Sequence, residues 1–221
     1  MFPINEIFDT IQGEAAFTGT PSTFVRFQFC DVGCPWCDTK HTWTVSPDRQ
    51  VSLDAMLKKQ IDGASYADLE PSALVEHLGE REPRHIVITG GEPCHYDLLE
   101  FTGLLTGIGK SVQIETSGTR EIKCSSETWV TVSPKIDMPG GWKVRGDALD
   151  RANELKMPVG KLSDVTKAVT LMDRVYPRNP KPIMWLQPLS QSPKATELCI
   201  RAATEHGFRV SIQTHKFLGV R

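Results

Sequence analysis

Residues 23–41, TFVRFQFCDVGCPWCDTKH, decide the fold, because an apolar run leads directly into three closely spaced cysteines. The β-branched and aromatic residues at 23–29 are typical of a β-strand. Side chains alternate between the two faces of a strand, so Phe24, Arg26 and Gln28 share one face. Two polar groups on an otherwise apolar strand predict that this face lines a cavity, with an exposed edge strand as the alternative.

Further apolar runs alternate with helical patterns along the rest of the chain. The predicted strands are 85–89, 112–115, 130–133, 154–156, 183–187 and 208–213, and the predicted helices are 53–61, 71–78, 98–108, 148–153, 165–175 and 195–206. Asp97 and Asp164 are predicted helix N-caps, and Gly207 is predicted to end a helix in the left-handed conformation. Strands that alternate with helices predict parallel βαβ units.

Glycine-rich or polar segments follow the predicted strands. They are Cys30, the Gly-Gly-Glu-Pro motif at 90–93, Thr-Ser-Gly at 116–118, Pro-Lys at 134–135, Pro188 with Ser190, and Thr-His-Lys at 214–216. Each segment alone could be turn chemistry. Because ligands in parallel α/β folds bind beyond the carboxyl ends of the strands, the six segments together predict one binding site.

Length and composition indicate the class of protein and the size of its fold. The chain has 221 residues, 39% hydrophobic and 24% charged, which indicates a globular protein and predicts one domain over residues 1–221. Because a complete (β/α) barrel typically needs ~250 residues, we expect an α/β fold with a partial (β/α) barrel of about six mostly parallel strands.

Charge and the absence of long apolar runs narrow the range of partners. A net charge of -2 argues against nucleic acid and anionic membranes as partners. The sequence has no apolar run near the ~20 residues that span a bilayer, and Glu6 and Asp9 do not suit a signal peptide. A cytoplasmic location is expected, where the cysteines would be reduced thiols or metal ligands.

Three of the six cysteines are clustered as Cys30, Cys34 and Cys37, whereas those at 94, 124 and 199 are scattered. Reduced thiols at this spacing are soft ligands for zinc or for an iron–sulfur cluster. Three thiolates leave one iron of a four-iron cluster open, which suits a cluster that binds and reduces a ligand. The alternative is a closed zinc site that uses His41 as its fourth ligand.

The cysteine motif, with Trp36 before its last cysteine, and the Gly-Gly-Glu-Pro motif together resemble the radical S-adenosylmethionine superfamily. The resemblance implies a radical S-adenosylmethionine core with a [4Fe–4S] cluster on the three cysteines. In that superfamily the open iron chelates S-adenosylmethionine, whose reductive cleavage yields a 5'-deoxyadenosyl radical. Glycines in the second motif would allow the backbone to approach the cofactor closely.

A narrower resemblance covers nearly the whole chain. Ile-Gln-Gly-Glu at 11–14, Arg26, Cys-Asp-Thr-Lys-His-Thr-Trp at 37–43, Ser-Pro-Lys at 133–135, Gln-Pro at 187–188 and Gln-Thr-His-Lys at 213–216 resemble the 7-carboxy-7-deazaguanine synthase family, most closely its proteobacterial branch. This implies a lyase that converts 6-carboxy-5,6,7,8-tetrahydropterin to 7-carboxy-7-deazaguanine with loss of ammonia, on the way to queuosine and other deazapurines. Ala15 departs from the glycine expected there.

The resemblance also implies roles for individual residues. S-adenosylmethionine would be bound by Trp36, Cys37, Asp38, Gly91, Ser133, Pro134, Lys135, Gln187 and Ser190. The carboxypterin would be bound by Ile11, Gln12, Gly13, Glu14, Arg26, Thr89 and His215, with the forked donors of Arg26 suited to its carboxylate. A magnesium ion would bind Thr39 and substrate oxygens, keeping several of its waters.

The resemblance further implies a homodimer, which agrees with the commonness of two-fold assemblies, and an electron donor of flavodoxin-like type. Two other functions stay open from the cysteines alone. A glycyl-radical activase shares the motif but acts on a partner protein, and a zinc-stabilised interaction module would have no catalytic activity. Arg26 and the Gln-Gly-Glu segment suit a small acid better than a peptide.

Overall fold

The computed structural model describes residues 1–59, 62–180 and 182–220, and its central feature is one large sheet. Within these ranges nine strands follow the order β3-β1-β2-β4-β5-β6-β7-β8-β9. The strands are β1 (Phe2–Ile11), β2 (Pro21–Phe27), β3 (Ala67–Leu69), β4 (His85–Gly90), β5 (Ser111–Thr116), β6 (Trp129–Val132), β7 (Glu154–Val159), β8 (Ile183–Pro188) and β9 (Arg209–Val210).

From β2 to β9 the neighbouring strands are parallel, whereas β1 pairs antiparallel with both β2 and β3. This is the predicted α/β class with a mostly parallel sheet. The helices are α1 (Leu53–Leu57), α2 (Pro71–Gly79), α3 (Leu99–Gly107), α4 (Gly146–Arg151), α5 (Leu162–Val175), α6 (Pro193–His206) and α7 (Thr214–Leu218). In the described part of the chain, none of them is long and apolar enough to cross a membrane.

Two strands were not predicted from the sequence. β1 contains Pro3 and two buried polar residues, Asn5 and Glu6, which hide the apolar alternation of the strand. β3 has three residues and is defined by its pairing with β1. Conversely, the predicted strand 208–213 is reduced to the two residues of β9, because the chain turns away towards α7.

The predicted helix ends differ from the observed ones by a few residues. α1 ends at Leu57, while the last two residues of the predicted helix 53–61 lie outside the described residues. Asp97 accepts a hydrogen bond from Leu99 N at 3.0 Å, although Leu98 is the N-cap of α3. Asp164 lies inside α5, and its carboxylate accepts from Gly160 N and Lys161 N at 3.0 and 3.1 Å. Gly207 is left-handed with φ 69°, as predicted.

The two faces of the sheet have opposite chemistry. The outward side chains form two apolar cores under the helices, one around Phe27, Ile88 and Phe101 and another around Leu155 and Leu186. The inward side chains of the parallel strands are largely polar. They include Arg26, Thr89, Gln113, Glu115, Thr131, Glu154, Lys156 and Gln187. Because side chains alternate along a strand, burying the apolar half directs these polar groups to the interior.

Candidate active site

A cavity of about 480 Å³ opens at the carboxyl ends of the parallel strands. It is lined by every residue proposed for the site except two. These are Ile11, Gln12, Glu14, Arg26, Cys30, Cys34, Trp36, Cys37, Asp38, Thr39, Thr89, Gly91, Ser133, Lys135, Gln187, Ser190 and His215. Segments that are far apart in the sequence therefore meet in one place, as the rule for parallel sheets predicts.

Gly13 and Pro134 do not line the wall of the cavity. Gly13 lies directly beneath His215, since a Cβ at position 13 would be 2.1 Å from Nδ1 of the imidazole. Its carbonyl accepts a hydrogen bond from Thr214 N at 2.9 Å. Pro134 is buried between its two cavity-lining neighbours. Both positions shape the site through the backbone.

The three clustered cysteines lie on the same wall of this cavity. Burial raises the pKa of the Cys30 thiol to about 11 and also raises the pKa of Cys34, against the effect of nearby Lys135. A bound cation would reverse this preference by stabilising the thiolates. Among the described residues, no three His, Cys, Asp or Glu side chains converge as closely as a single metal ion requires.

A four-iron cluster asks for a different arrangement, since each thiolate binds a separate iron. Three soft sulfur donors spread along one cavity wall fit that requirement. His41, the fourth ligand of the zinc alternative, does not line the cavity.

The start of the cysteine segment is held by backbone hydrogen bonds and close contacts. Phe29 has φ 86°, a left-handed conformation that is rare for a bulky residue, and its amide donates to Thr42 O at 2.6 Å. Cys30 N donates to Trp43 O at 3.2 Å. Gly91 approaches so closely that a Cβ there would lie 2.0 Å from Phe29 O. The glycine is therefore required by contact between two backbones.

The side chain of Gln28 does not lie on the cavity face where it was predicted. Its side chain is fully buried and does not reach the cavity. The amide nitrogen donates to Thr44 O at 2.7 Å and to His41 O at 3.1 Å, while its oxygen accepts from Asn5 at 2.7 Å. Because β2 ends at Phe27, the alternation of the strand no longer directs the next side chain inwards. Gln28 supports the segment that follows the cysteines.

Arg26 and Thr89 are side by side on the cavity face, because β2 and β4 pair them in parallel register. Arg26 Nε donates to Glu6 Oε1 at 2.5 Å, and the arginine side chain is 17% exposed. The glutamate comes from β1, the strand that was not predicted. It holds the guanidinium against the wall of the cavity.

A buried lysine bridges two carboxylates at the inner end of the cavity, and its role was missed from the sequence. Lys156 Nζ lies 2.6 Å from Glu14 Oε2 and 2.7 Å from Glu115 Oε2. Gln213 and Gln187 also donate to Glu14, at 2.7 and 3.3 Å. The first 15 residues, β5, β7, β8 and the C-terminal segment are thereby joined by side chains.

The two carboxyl groups differ in their proton affinity. Although burial opposes ionisation of Glu14, its contact with Lys156 and the hydrogen bond from Gln213 lower its pKa to about 2. Burial raises the pKa of Glu115 to about 7, with Lys156 opposing and Glu14 adding to the shift. Burial would lower the pKa of Lys156, but the two carboxylates raise it. Glu14 and Lys156 therefore form a charged pair, while Glu115 titrates near neutrality.

Glu92 holds the loop that follows β5 by hydrogen bonds. From the sequence it was named only as part of the Gly-Gly-Glu-Pro motif. The side chain is 1% exposed, and its carboxylate accepts from Thr116 Oγ1 at 2.6 Å, Ser117 N at 2.8 Å and Cys94 N at 3.0 Å. It ties the end of β4 to the end of β5. A fully bonded carboxylate of this kind fixes both loops at the edge of the cavity.

The polar residues of β5 and β7 that were missed share one sequence signal. Gln113 and Glu115 in β5, and Glu154 and Lys156 in β7, alternate with apolar residues in the same way as Phe24, Arg26 and Gln28 in the first predicted strand. The rule that located Arg26 would have located these residues too, had it been applied to each strand.

The chain is similar in sequence to known proteins. No protein-family model matches the chain. The 7-carboxy-7-deazaguanine synthase of Escherichia coli strain K12 is 48% identical over 221 residues, 99% of this chain and 99% of the relative. Proteins of the same name from Buchnera aphidicola subsp. Schizaphis graminum and Synechocystis sp. are 43% and 33% identical, each over 100% of this chain and over 99% and 94% of the relative.

A solved structure is similar as well. The crystal structure of QueE from Escherichia coli superposes with a TM-score of 0.92 at 47% sequence identity, covering 96% of this chain and 93% of that chain.

Proposed function

The chain belongs to the 7-carboxy-7-deazaguanine synthase family of radical S-adenosylmethionine enzymes, and from this premise we propose how its residues divide the work of the reaction. The reaction converts 6-carboxy-5,6,7,8-tetrahydropterin to 7-carboxy-7-deazaguanine with loss of ammonia, in the queuosine pathway. One observation supports the assignment of the site. The three cysteines and the charged inner face of the sheet line the same cavity.

Cys30, Cys34 and Cys37 would hold the [4Fe–4S] cluster. The chemistry that the cluster and S-adenosylmethionine supply when bound is abstraction of hydrogen from C6 of the pterin. We assign the binding of S-adenosylmethionine to Trp36, Cys37, Asp38, Gly91, Ser133, Pro134, Lys135, Gln187 and Ser190, all of which except Pro134 line the same cavity as the cysteines. Lys135 donates to Ser133 at 2.6 Å, and burial lowers its pKa, with nearby Cys34 opposing that shift.

The substrate would lie between the cysteine wall and the Lys156 bridge. Arg26, oriented by Glu6, would bind the substrate carboxylate, with Thr89 beside it. Ile11, Gln12, Gly13, Glu14 and His215 would meet the pterin ring from the N-terminal and C-terminal segments. The ionised Glu14 can accept hydrogen bonds from ring N–H groups. The walls position one C–H bond and exclude water and stray hydrogen donors.

Magnesium would be held by Thr39 and by oxygens of the substrate. Thr39 lines the cavity, and its Oγ1 lies 3.5 Å from Sγ of Cys37, one of the three proposed cluster ligands, which supports this assignment. One neutral hydroxyl is a weak ligand, so the ion would bind mainly in the presence of the substrate carboxylate.

Several wider properties complete the proposal. Residues 1–221 would form a single domain, which the continuous sheet from β3 to β9 supports. The active form would be a homodimer in the cytoplasm, reduced by a flavodoxin-like electron donor.

The experiment is anaerobic reconstitution followed by turnover of the carboxypterin, with and without magnesium. We expect 7-carboxy-7-deazaguanine and ammonia from the wild type. Cys34→Ala should abolish turnover while the protein stays folded, and Cys124→Ala, outside the cavity, should leave it unchanged. A colourless protein with a stoichiometric divalent ion would favour the zinc module. A cluster that cleaves S-adenosylmethionine but leaves the pterin intact would favour the activase.

A further inference from the structure

An ion pair joins Arg120 to Asp31, which lies within the cluster loop, defined as residues 30–37. Arg120 Nη2 donates to Asp31 Oδ2, and the two side chains are 19% and 31% exposed. Neither residue lines the cavity. Because Asp31 directly follows Cys30, the ion pair joins the cluster loop to the segment that leaves β5.

Trp142 covers the other side of the guanidinium. Arg120 Cζ lies 3.6 Å from the centroid of the indole ring, which is close stacking. Trp142 is 40% exposed, so its outer surface faces solvent while its inner surface shields the arginine. The guanidinium is therefore held between a carboxylate on the cluster loop and an aromatic ring.

Two buried atoms without a hydrogen-bond partner among the described residues belong to this one pair, Asp31 Oδ1 and Arg120 Nε. A bidentate arginine–carboxylate pair uses Nε and Nη on the two carboxylate oxygens. The pair thus has the donors and acceptors for a two-point contact, which fixes orientation more strongly than a single bond.

The base from which Arg120 extends is rigid. Glu92 binds the Ser117 amide at 2.8 Å, and Arg145 N donates to Gly118 O at 2.9 Å. The segment that carries Trp142 is also attached to the cluster loop. Gly140 N donates to Val32 O at 3.1 Å, and a Cβ at position 140 would lie 2.1 Å from Asp31 O. Arg120 and the Trp142 ring that stacks on it therefore both stand on attached loops.

We propose that Arg120, stacked on Trp142, is a positioning residue that holds the cluster loop through Asp31 so that its cysteines stay directed at the cluster. The inference rests on the proposed function, because it requires these cysteines to be the cluster ligands. Loss of Arg120 leaves the backbone attachments of Phe29 and Cys30 at the start of the loop. It removes the side-chain attachment of the next residue.

The first test needs no cofactor. Hydrogen exchange of the amides in residues 31–37 is measured in the apo protein for the wild type and for Arg120→Ala. We expect exchange about tenfold faster in the variant, which corresponds to about 1.4 kcal/mol, close to the lower limit for one charge-assisted hydrogen bond. Arg178→Ala is the matched control, because Arg178 pairs with Asp150 on an exposed surface and should leave these amides unchanged.

The second test uses reconstituted protein and follows loss of the cluster to a chelator. Arg120→Ala and Asp31→Ala should each lose iron about tenfold faster. The double variant should be no worse than either single variant, since both remove the same contact. Arg120→Lys keeps the charge but not the fork or the stack, so it should resemble Arg120→Ala, whereas Trp142→Phe keeps a ring and should resemble the wild type.

Changes within twofold of the wild type for Arg120→Ala in both measurements would overturn the positioning role. If Arg120→Ala does not fold, Trp142→Ala is measured in its place, because this ring is half-exposed. Hydrogen exchange and iron loss that are unchanged in Trp142→Ala would then overturn the proposal. A wild type that assembles no cluster would overturn the proposed function. A wild type with normal turnover and an Arg120→Ala variant that matches it would overturn this inference alone.

Discussion

Glu115→Gln should remove a pH dependence from the stability of the apo protein. The difference in free energy of unfolding between the variant and the wild type should shift in favour of the variant as the pH rises from acid to alkaline. The buried Glu14, Glu115 and Lys156 side chains carry two carboxyl groups for one ammonium. The glutamine resembles the neutral form of Glu115. It leaves Glu14 and Lys156 as a balanced pair.

The size of the effect follows from the pKa of Glu115, which rises from an ordinary value of 4.5 to about 7 in the folded protein. Between these values the folded state holds a proton that the unfolded state has lost, so the free energy of unfolding falls as pH rises. Since one pH unit is worth about 1.4 kcal/mol, the wild type should lose roughly 2–3 kcal/mol from this group between pH 5 and pH 8.5.

Glu14 contributes with the opposite sign in a different window. Its pKa is lowered from 4.5 to about 2, so its stabilisation is present above pH 4.5 and is lost as pH falls towards 2. At pH 5 and above this contribution is nearly constant. The pH dependence that Glu115→Gln removes can therefore be separated from that of Glu14.

The assay is urea unfolding of the apo protein under reducing conditions at pH 5 and pH 8.5. The free energy of unfolding of Glu115→Gln minus that of the wild type should increase by roughly 2–3 kcal/mol from about pH 5 to pH 8.5. Because a hydrogen bond that glutamine makes less well costs the same free energy at both pH values, that cost cancels in this difference. Glu100→Gln, on the exposed surface of α3, should change by less than about 0.5 kcal/mol. A Glu115→Gln variant that loses more stability at pH 8.5 than at pH 5 would refute the reasoning.

Three further outcomes are expected at the cavity. Arg26→Ala should raise the KM for the carboxypterin at least tenfold without slowing cluster assembly, because one charge-assisted contact is worth about 1.5–3 kcal/mol; an unchanged KM would remove Arg26 from the site. Gly91→Ala should destabilise the protein by about 2–3 kcal/mol, since its Cβ would meet Phe29 O, whereas Gly103→Ala in an open part of α3 should be neutral or stabilising by thermal melting. Thr39→Val should reduce the magnesium stimulation of turnover, and equal stimulation in variant and wild type would exclude Thr39 as a ligand.

The cysteine loop and most of the parallel strands could be predicted from local sequence. The spacing of Cys30, Cys34 and Cys37 indicated metal ligation without any knowledge of the fold, because thiol softness and proximity are local properties. The apolar runs and the polar segments after them predicted parallel strands and a site at their carboxyl ends. These predictions depend on period and residue type, which the sequence displays directly.

The N-terminal strand and the ion-pair network depended on contacts between distant segments. β1 is a strand because it pairs with β2 and β3, although Pro3, Asn5 and Glu6 obscure its pattern. Glu14 and Lys156 are 142 positions apart, and their charges are held inside only because each compensates the other.

What the amino-acid sequence determined by itself was the chemistry of the cluster loop, the α/β class and the family. The tertiary structure alone decided that Glu115 titrates near neutrality and that Asp31 meets Arg120 beneath Trp142. The physical reason is that burial and the distance between charges determine proton affinity and ion pairing, and both are set by how the strands and loops are brought together.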